Sequence, residues 1–92
     1  MNGVMLTGTV VDSPRQKQST NGIPKVEFMV ESLTKALPLR FFVICFGQLA
    51  ESLNLSPGDG VIVLGRLEPN LKDGRVAGFS LLANNVEVLG AG

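Results

Sequence analysis

The sequence predicts an all-β protein, a small Greek-key barrel of five strands with one short helix between strands three and four. Three observations carry this reading. Eleven Gly and five Pro are scattered among many Val and Leu, the composition of short strands joined by tight turns. Apolar residues recur at every second position through most of the chain, which is the strand period. Helical spacing occurs once, between residues 48 and 55. Ninety-two residues make one domain, 1–92, and a chain of this size buries only roughly 60–65% of the surface its unfolded state exposes. Association between copies would therefore help it.

The first strand is Val4 to Val11, with Gly8 at a bend or close backbone approach. Asp12-Ser13-Pro14 ends it, and the polar stretch Arg15 to Ile23 reads as a loop closing on the turn signal Asn21-Gly22. The second strand, Pro24 to Leu33, turns Val26, Phe28 and Val30 inward and Lys25, Glu27, Met29 and Glu31 outward. Residues 34 to 38 connect it to the third strand, 38 to 47. There Phe41, Val43 and Cys45 share one side and Arg40, Phe42, Ile44 and Phe46 the other, and three of the five aromatic residues lie in this strand. Both sides are apolar. One fills a core, so the other must meet a subunit, a helix or nucleobases.

Leu49, Ala50 and Leu53 place a helix within Gln48 to Leu55, stopped by Pro57-Gly58. The fourth strand runs from Val61 to Leu67, again with a glycine, Gly65, at a bend; Val61, Val63 and Leu67 take one face and Ile62, Leu64 and Arg66 the other. Residues 68 to 75 form a loop around Asp73-Gly74 with Lys72 and Arg75 near its tip. The last strand, Val76 to Leu89, is long enough to need a bulge near Asn84-Asn85.

The formal net charge is zero, which counts against indiscriminate binding to nucleic acid driven by charge alone. The charges are nevertheless segregated. Residues 13–26 carry Arg15, Lys17 and Lys25 with no acid, and residues 32–50 carry Lys35 and Arg40 with no acid. Five strands, a helix between the third and fourth, and glycines at bends describe an OB-fold, which binds oligonucleotides over strands two and three and the flanking loops. Six of the eight cations (Arg15, Lys17, Lys25, Arg40, Lys72 and Arg75) fall on that surface, with Lys35 beside it.

The residues also resemble a known family. Gly8-Thr9-Val10 with Pro14, then Arg15, Lys17, Asn21 to Pro24, Phe28 and Glu31, are similar to the first half of primosomal replication protein N (PriB). Val43 to Leu53, Gly58 to Leu67 and Val86-Glu87-Val88-Leu89 look like bacterial single-stranded DNA-binding protein (SSB). The resemblance covers nearly the whole chain and rests on the order and spacing of its pieces. It implies a cytoplasmic OB-fold homodimer that binds single-stranded DNA in replication or replication restart, with a replication-restart helicase or other primosome proteins as candidate partners. It also implies that Phe46, which matches a base-stacking Phe of SSB, and Phe42 beside it meet bases, and that Lys17 and Lys72 match basic residues of the PriB DNA surface.

The departures point to weak binding. SSB stacks bases on Trp residues, whereas this chain has no Trp or Tyr and holds Leu33, Arg40 and Leu71 at the approximate positions. SSB also recruits partners through a long acidic tail, and a chain that stops at Gly92 is expected to lack that route. The single Cys45 lies in an apolar run and suits a reducing compartment. No apolar run approaches the ~20 residues of a membrane span and the N-terminus shows no signal pattern, so a soluble, unprocessed protein with no membrane partner is expected.

Catalysis lacks its parts. There is no His and no Cys pair, so neither a metal site nor a Ser- or Cys-His centre can be assembled and no cofactor is expected. Asp12, Glu27 and Glu31 read as solvated strand ends, and Gly58-Asp59-Gly60 as a turn, since the Lys-Ser/Thr of a phosphate loop does not follow. Two functions compete: a module binding single strands through Arg15, Lys17, Lys25, Lys35, Arg40, Phe42, Phe46, Lys72 and Arg75, and a protein-interaction OB-fold of the replication machinery with little direct DNA binding.

Overall fold

A computed structural model describes residues 3–33 and 37–91. Seven elements follow one another: β1 (Val4–Val10), β2 (Arg15–Gln18), β3 (Pro24–Leu33), β4 (Pro38–Phe46), α1 (Gly47–Ser52), β5 (Asp59–Lys72) and β6 (Arg75–Ala91). The sheet order is β1-β5-β6-β4-β3-β2, and a further pairing of β1 with β3 closes the first five into a barrel. All contacts between neighbours are antiparallel except β4 with β6, where Val43 faces Leu81 and Ile44 faces Leu82. This is the five-stranded OB barrel that the sequence predicts, with β2 added outside it on β3.

The two-residue alternation holds where it was read. Val26, Phe28, Val30, Val43, Cys45, Val61 and Val63 are buried and form the core with Leu6, Val10, Ala50, Leu81 and Ala83. Burial pushes the Cys45 thiol up to about 12, so it packs as a small hydrophobe with no thiolate at neutral pH. Gly8 is a close approach, as expected, and so is Gly65, which the sequence suggests only as a bend. A Cβ on Gly8 would collide with the Glu31 carbonyl oxygen, and one on Gly65 with the Leu82 carbonyl oxygen. The bulge also falls where the length of the last strand demanded it, since Leu64 faces Asn85 while Gly65 faces Ala83 and Asn84 is left over.

Three boundaries differ from the expectation. Residues Arg15–Gln18 were expected in a loop, yet they are a strand, because the Ser19–Ile23 turn folds them back so that Gln18 meets Pro24 and Arg15 meets Glu27. That turn is locked by Ser19 N–H to Ile23 O (2.9 Å), Gly22 N–H to Ser19 O (2.9 Å) and Ile23 N–H to Ser19 Oγ (3.1 Å). The helix ends at Ser52, since Leu53 is already extended at φ −72 and ψ 132, while Leu53 and Leu55 still pack on the core. Residues 68 to 75 were expected as a loop, but β5 and β6 stay paired out to Lys72–Arg75. Only Asp73 (φ 53) and Gly74 (φ 77) make the turn, the pair of positive φ values that a two-residue hairpin needs.

Candidate nucleic-acid interface

Three strands build the candidate face. Direct cross-strand partners point to the same side of a sheet, so the register places Lys17, Lys25 and Phe46 in one row across β2, β3 and β4. Arg15, Glu27 and Ile44 make the next row. Met29 with Phe42, and then Glu31 with Arg40, complete the face towards the Pro38 end of β4. Phe46 is 40% exposed, Phe42 and Ile44 are half-buried, and the Lys25 ammonium lies 5.9 Å from the centre of the Phe46 ring. An aromatic ring with a cation at its face can take a base on the ring and a phosphate on the ammonium.

The cations are not equally available. Lys17 Nζ lies 2.9 Å from Glu27 Oε1, Lys25 Nζ 3.1 Å from Glu27 Oε2, and Arg40 Nε 3.0 Å from Glu31 Oε2. Arg15, Lys72 and Arg75 are exposed and enter no ion pair among the described residues. Lys72 and Arg75 face each other at the end of the β5–β6 ribbon. Because β6 runs parallel to β4, the ribbon leaves the barrel towards the Arg40 end of the face. Lys35 lies outside the described residues, as does the side chain of Leu33.

Glu27 corrects the sequence reading most sharply. A solvated carboxylate was expected, whereas Glu27 is 8% exposed, because β2 lies across β3 and brings Lys17 over it. Lys17 above all, with Lys25, holds its carboxyl below the ordinary range against the opposing effect of burial. Glu31 likewise serves Arg40 rather than solvent alone. A two-residue turn at Asn21-Gly22 would have put Lys17 beside Val26; it is the five-residue turn Ser19–Ile23 that sets Lys17 beside Lys25 and Arg15 beside Glu27. A second feature that the sequence reading passed over is the other side of the ribbon, where Pro69 faces Phe79 and Leu71 faces Val76. Phe79 is 59% and Leu71 67% exposed there. Alternation past a two-residue turn was the available signal.

No group of three or more His, Cys, Asp or Glu among the described residues could hold a metal. A closed barrel of this topology, with the exposed Phe46 ring and half-buried Phe42 of β4 beside cations of β3 and β4, defines an oligonucleotide-binding domain. The family model described as the single-strand binding protein family matches residues 1–88. The chain belongs to that family, whose members are binding proteins and not enzymes.

Three solved structures show the similarity at full length. The SSB domain from Synechococcus sp. is 28% identical, with 94% of this chain and 93% of that one covered and a TM-score of 0.78. The second single-stranded DNA-binding protein (SSBb) from Mycobacterium smegmatis is 23% identical over 95% and 87% of the two chains, at a TM-score of 0.78. The N-terminal domain of PriB from Thermoanaerobacter tencongensis, described as dimeric, is 20% identical over 97% of each, also at 0.78. No curated protein matches the chain.

Proposed function

We propose that this protein binds single-stranded DNA weakly and with strong salt dependence, as a cytoplasmic homodimer acting in replication or replication restart. Membership of the single-strand binding family supports the ligand, and the observation that carries the interface is the row of Lys17, Lys25 and Phe46 across three strands. Phe46 and Phe42 take bases. Arg15, Lys17, Lys25 and Arg40 on the face, Lys35 beyond the end of β3 and Lys72 and Arg75 on the ribbon hold the backbone. Stacking on one or two Phe rings supplies about 1–3 kcal/mol per base engaged, so phosphate contacts carry much of the affinity. The PriB domain that shares this fold is dimeric, in keeping with the proposed homodimer, and the restart role rests on the sequence resemblance to PriB, with a restart helicase or another primosome protein as the partner class.

Fluorescence anisotropy of labelled oligo-dT at low and moderate salt tests the reading. With about four phosphate contacts per protomer, log K falls against log salt with a slope near −3, from roughly −0.7 per contact. A flat dependence would instead favour a protein-docking OB-fold. The exposed apolar residues Met5, Leu71, Val76 and Phe79 are the surface that such a reading would use.

A further inference from the structure

Glu27 and Ser80 are the buried polar residues among those described, and only Glu27 carries a charge. Its two carboxylate oxygens are shared out, one to Lys17 at 2.9 Å and the other to Lys25 at 3.1 Å. An ammonium meets a carboxylate oxygen and a phosphate oxygen in the same way, as an anionic acceptor at short range. In the free protein, Glu27 therefore stands where a backbone phosphate would bridge Lys17 and Lys25. Glu31 stands in the same relation to Arg40, at 3.0 Å. The face carries Arg15, Lys17, Lys25 and Arg40 against Glu27 and Glu31, so four positive charges less two negative leave +2.

We infer that Glu27 is a built-in competitor of the nucleic-acid backbone, which lowers the affinity of this face for single strands; the inference rests on the single-stranded DNA reading above. A phosphate that reaches Lys17 or Lys25 displaces a carboxylate rather than water. Phosphates are held first by Arg15, Lys72 and Arg75, which enter no ion pair among the described residues. The ground between them, with Phe42, Ile44 and Phe46, is left to bases. Glu27 also ties the edge strand β2, whose four residues are all exposed, to β3. Losing a positioning group weakens binding and losing a competitor tightens it, so the sign of the effect separates the two roles.

The test measures oligo-dT affinity at low salt for the parent, Glu27→Gln and Glu87→Gln. Glu87 faces Ile62 on the β5–β6 side of the barrel, so the second variant removes the same charge away from the face. Glu27→Gln is expected to bind about five- to tenfold tighter, with a steeper salt slope and an advantage that shrinks as salt rises. Glu87→Gln should change affinity by less than about twofold, and Lys17→Ala added to Glu27→Gln should remove the gain. Equal or weaker binding by Glu27→Gln, or an equal gain from Glu87→Gln, overturns the inference. If Glu27→Gln does not fold by circular dichroism, Glu31→Gln on the more exposed Arg40 pair carries the same test in the same direction. A parent that fails to bind overturns the single-stranded DNA reading and this inference with it. A parent that binds without a gain in the variants overturns this inference alone.

Discussion

Phe46 and Lys72 act on a single strand through different forces, and their removal should read differently. Lys72→Ala is expected to weaken binding to every sequence alike and to lower the salt slope by roughly 0.7, because one phosphate contact is lost. Phe46→Ala should cost about 1–3 kcal/mol and leave the slope nearly unchanged, because stacking releases no counterions. Anisotropy titrations over a salt series distinguish them, and a Lys72→Ala slope equal to that of the parent would remove the ribbon from the interface. Glu27 makes a separate prediction for stability. Its carboxyl titrates lower in the folded protein than in the unfolded chain, chiefly because of Lys17. The stability it contributes is complete above the ordinary carboxylate range and is lost as pH falls through the lowered value. The melting temperature of the parent should thus fall more steeply on acidification than that of Glu27→Gln, as followed by circular dichroism; parallel acid limbs would contradict this.

At the scale of the element, two glycines decide how closely strands approach. Gly65 sits beside the bulge at Asn84, with the Leu82 carbonyl where its side chain would be, and Gly8 does the same against the Glu31 carbonyl. Both obstacles are backbone and cannot rotate away. Gly65→Ala and Gly8→Ala should therefore each destabilise by about 1–3 kcal/mol, visible in urea unfolding, whereas alanine at exposed Gly3, which has nothing within 4 Å, should be near neutral. The two strand boundaries that the sequence reading missed share a cause. Arg15–Gln18 and Pro69–Lys72 are polar or irregular in hydropathy because each is an exposed strand with no core beneath it. Their strand character comes from the turns beyond them, Ser19–Ile23 and Asp73-Gly74, which force the chain back alongside itself.

The whole molecule leaves apolar surface that one copy does not cover. Met5, 72% exposed, faces Leu64, 41% exposed, across β1 and β5, and Ile62 lies on the same side, facing Thr7. Only Thr9 and Val10 of β1 pair with β3, which leaves Val4–Thr7 with a strand partner on the β5 side alone among the described residues. Such a face and edge suit an isologous contact between copies. Sedimentation equilibrium should show a dimer at tens of micromolar, and Met5→Asp should shift it to monomer; a monomeric parent would refute the assignment.

Much of this protein was legible in one dimension. Period-two alternation named the inward residues of β3, β4 and β5, because a strand has only two sides and one of them must fill the core. Turn residues at Asn21-Gly22 and Asp73-Gly74 located both hairpins, and the excess length of the last strand required its bulge. The ordering of these pieces sufficed for an OB barrel and for the family. Which cations are available was a different kind of question. Lys17 and Glu27 lie ten positions apart, and only the register of β2 on β3 brings them within 2.9 Å, where Glu27 also meets Lys25 of its own strand. A run without acids looked uniformly positive in sequence. Folding pairs two of the three cations of residues 13–26, Lys17 and Lys25, with a carboxylate from the same sheet, since electrostatic energy depends on distance in space and not on separation along the chain.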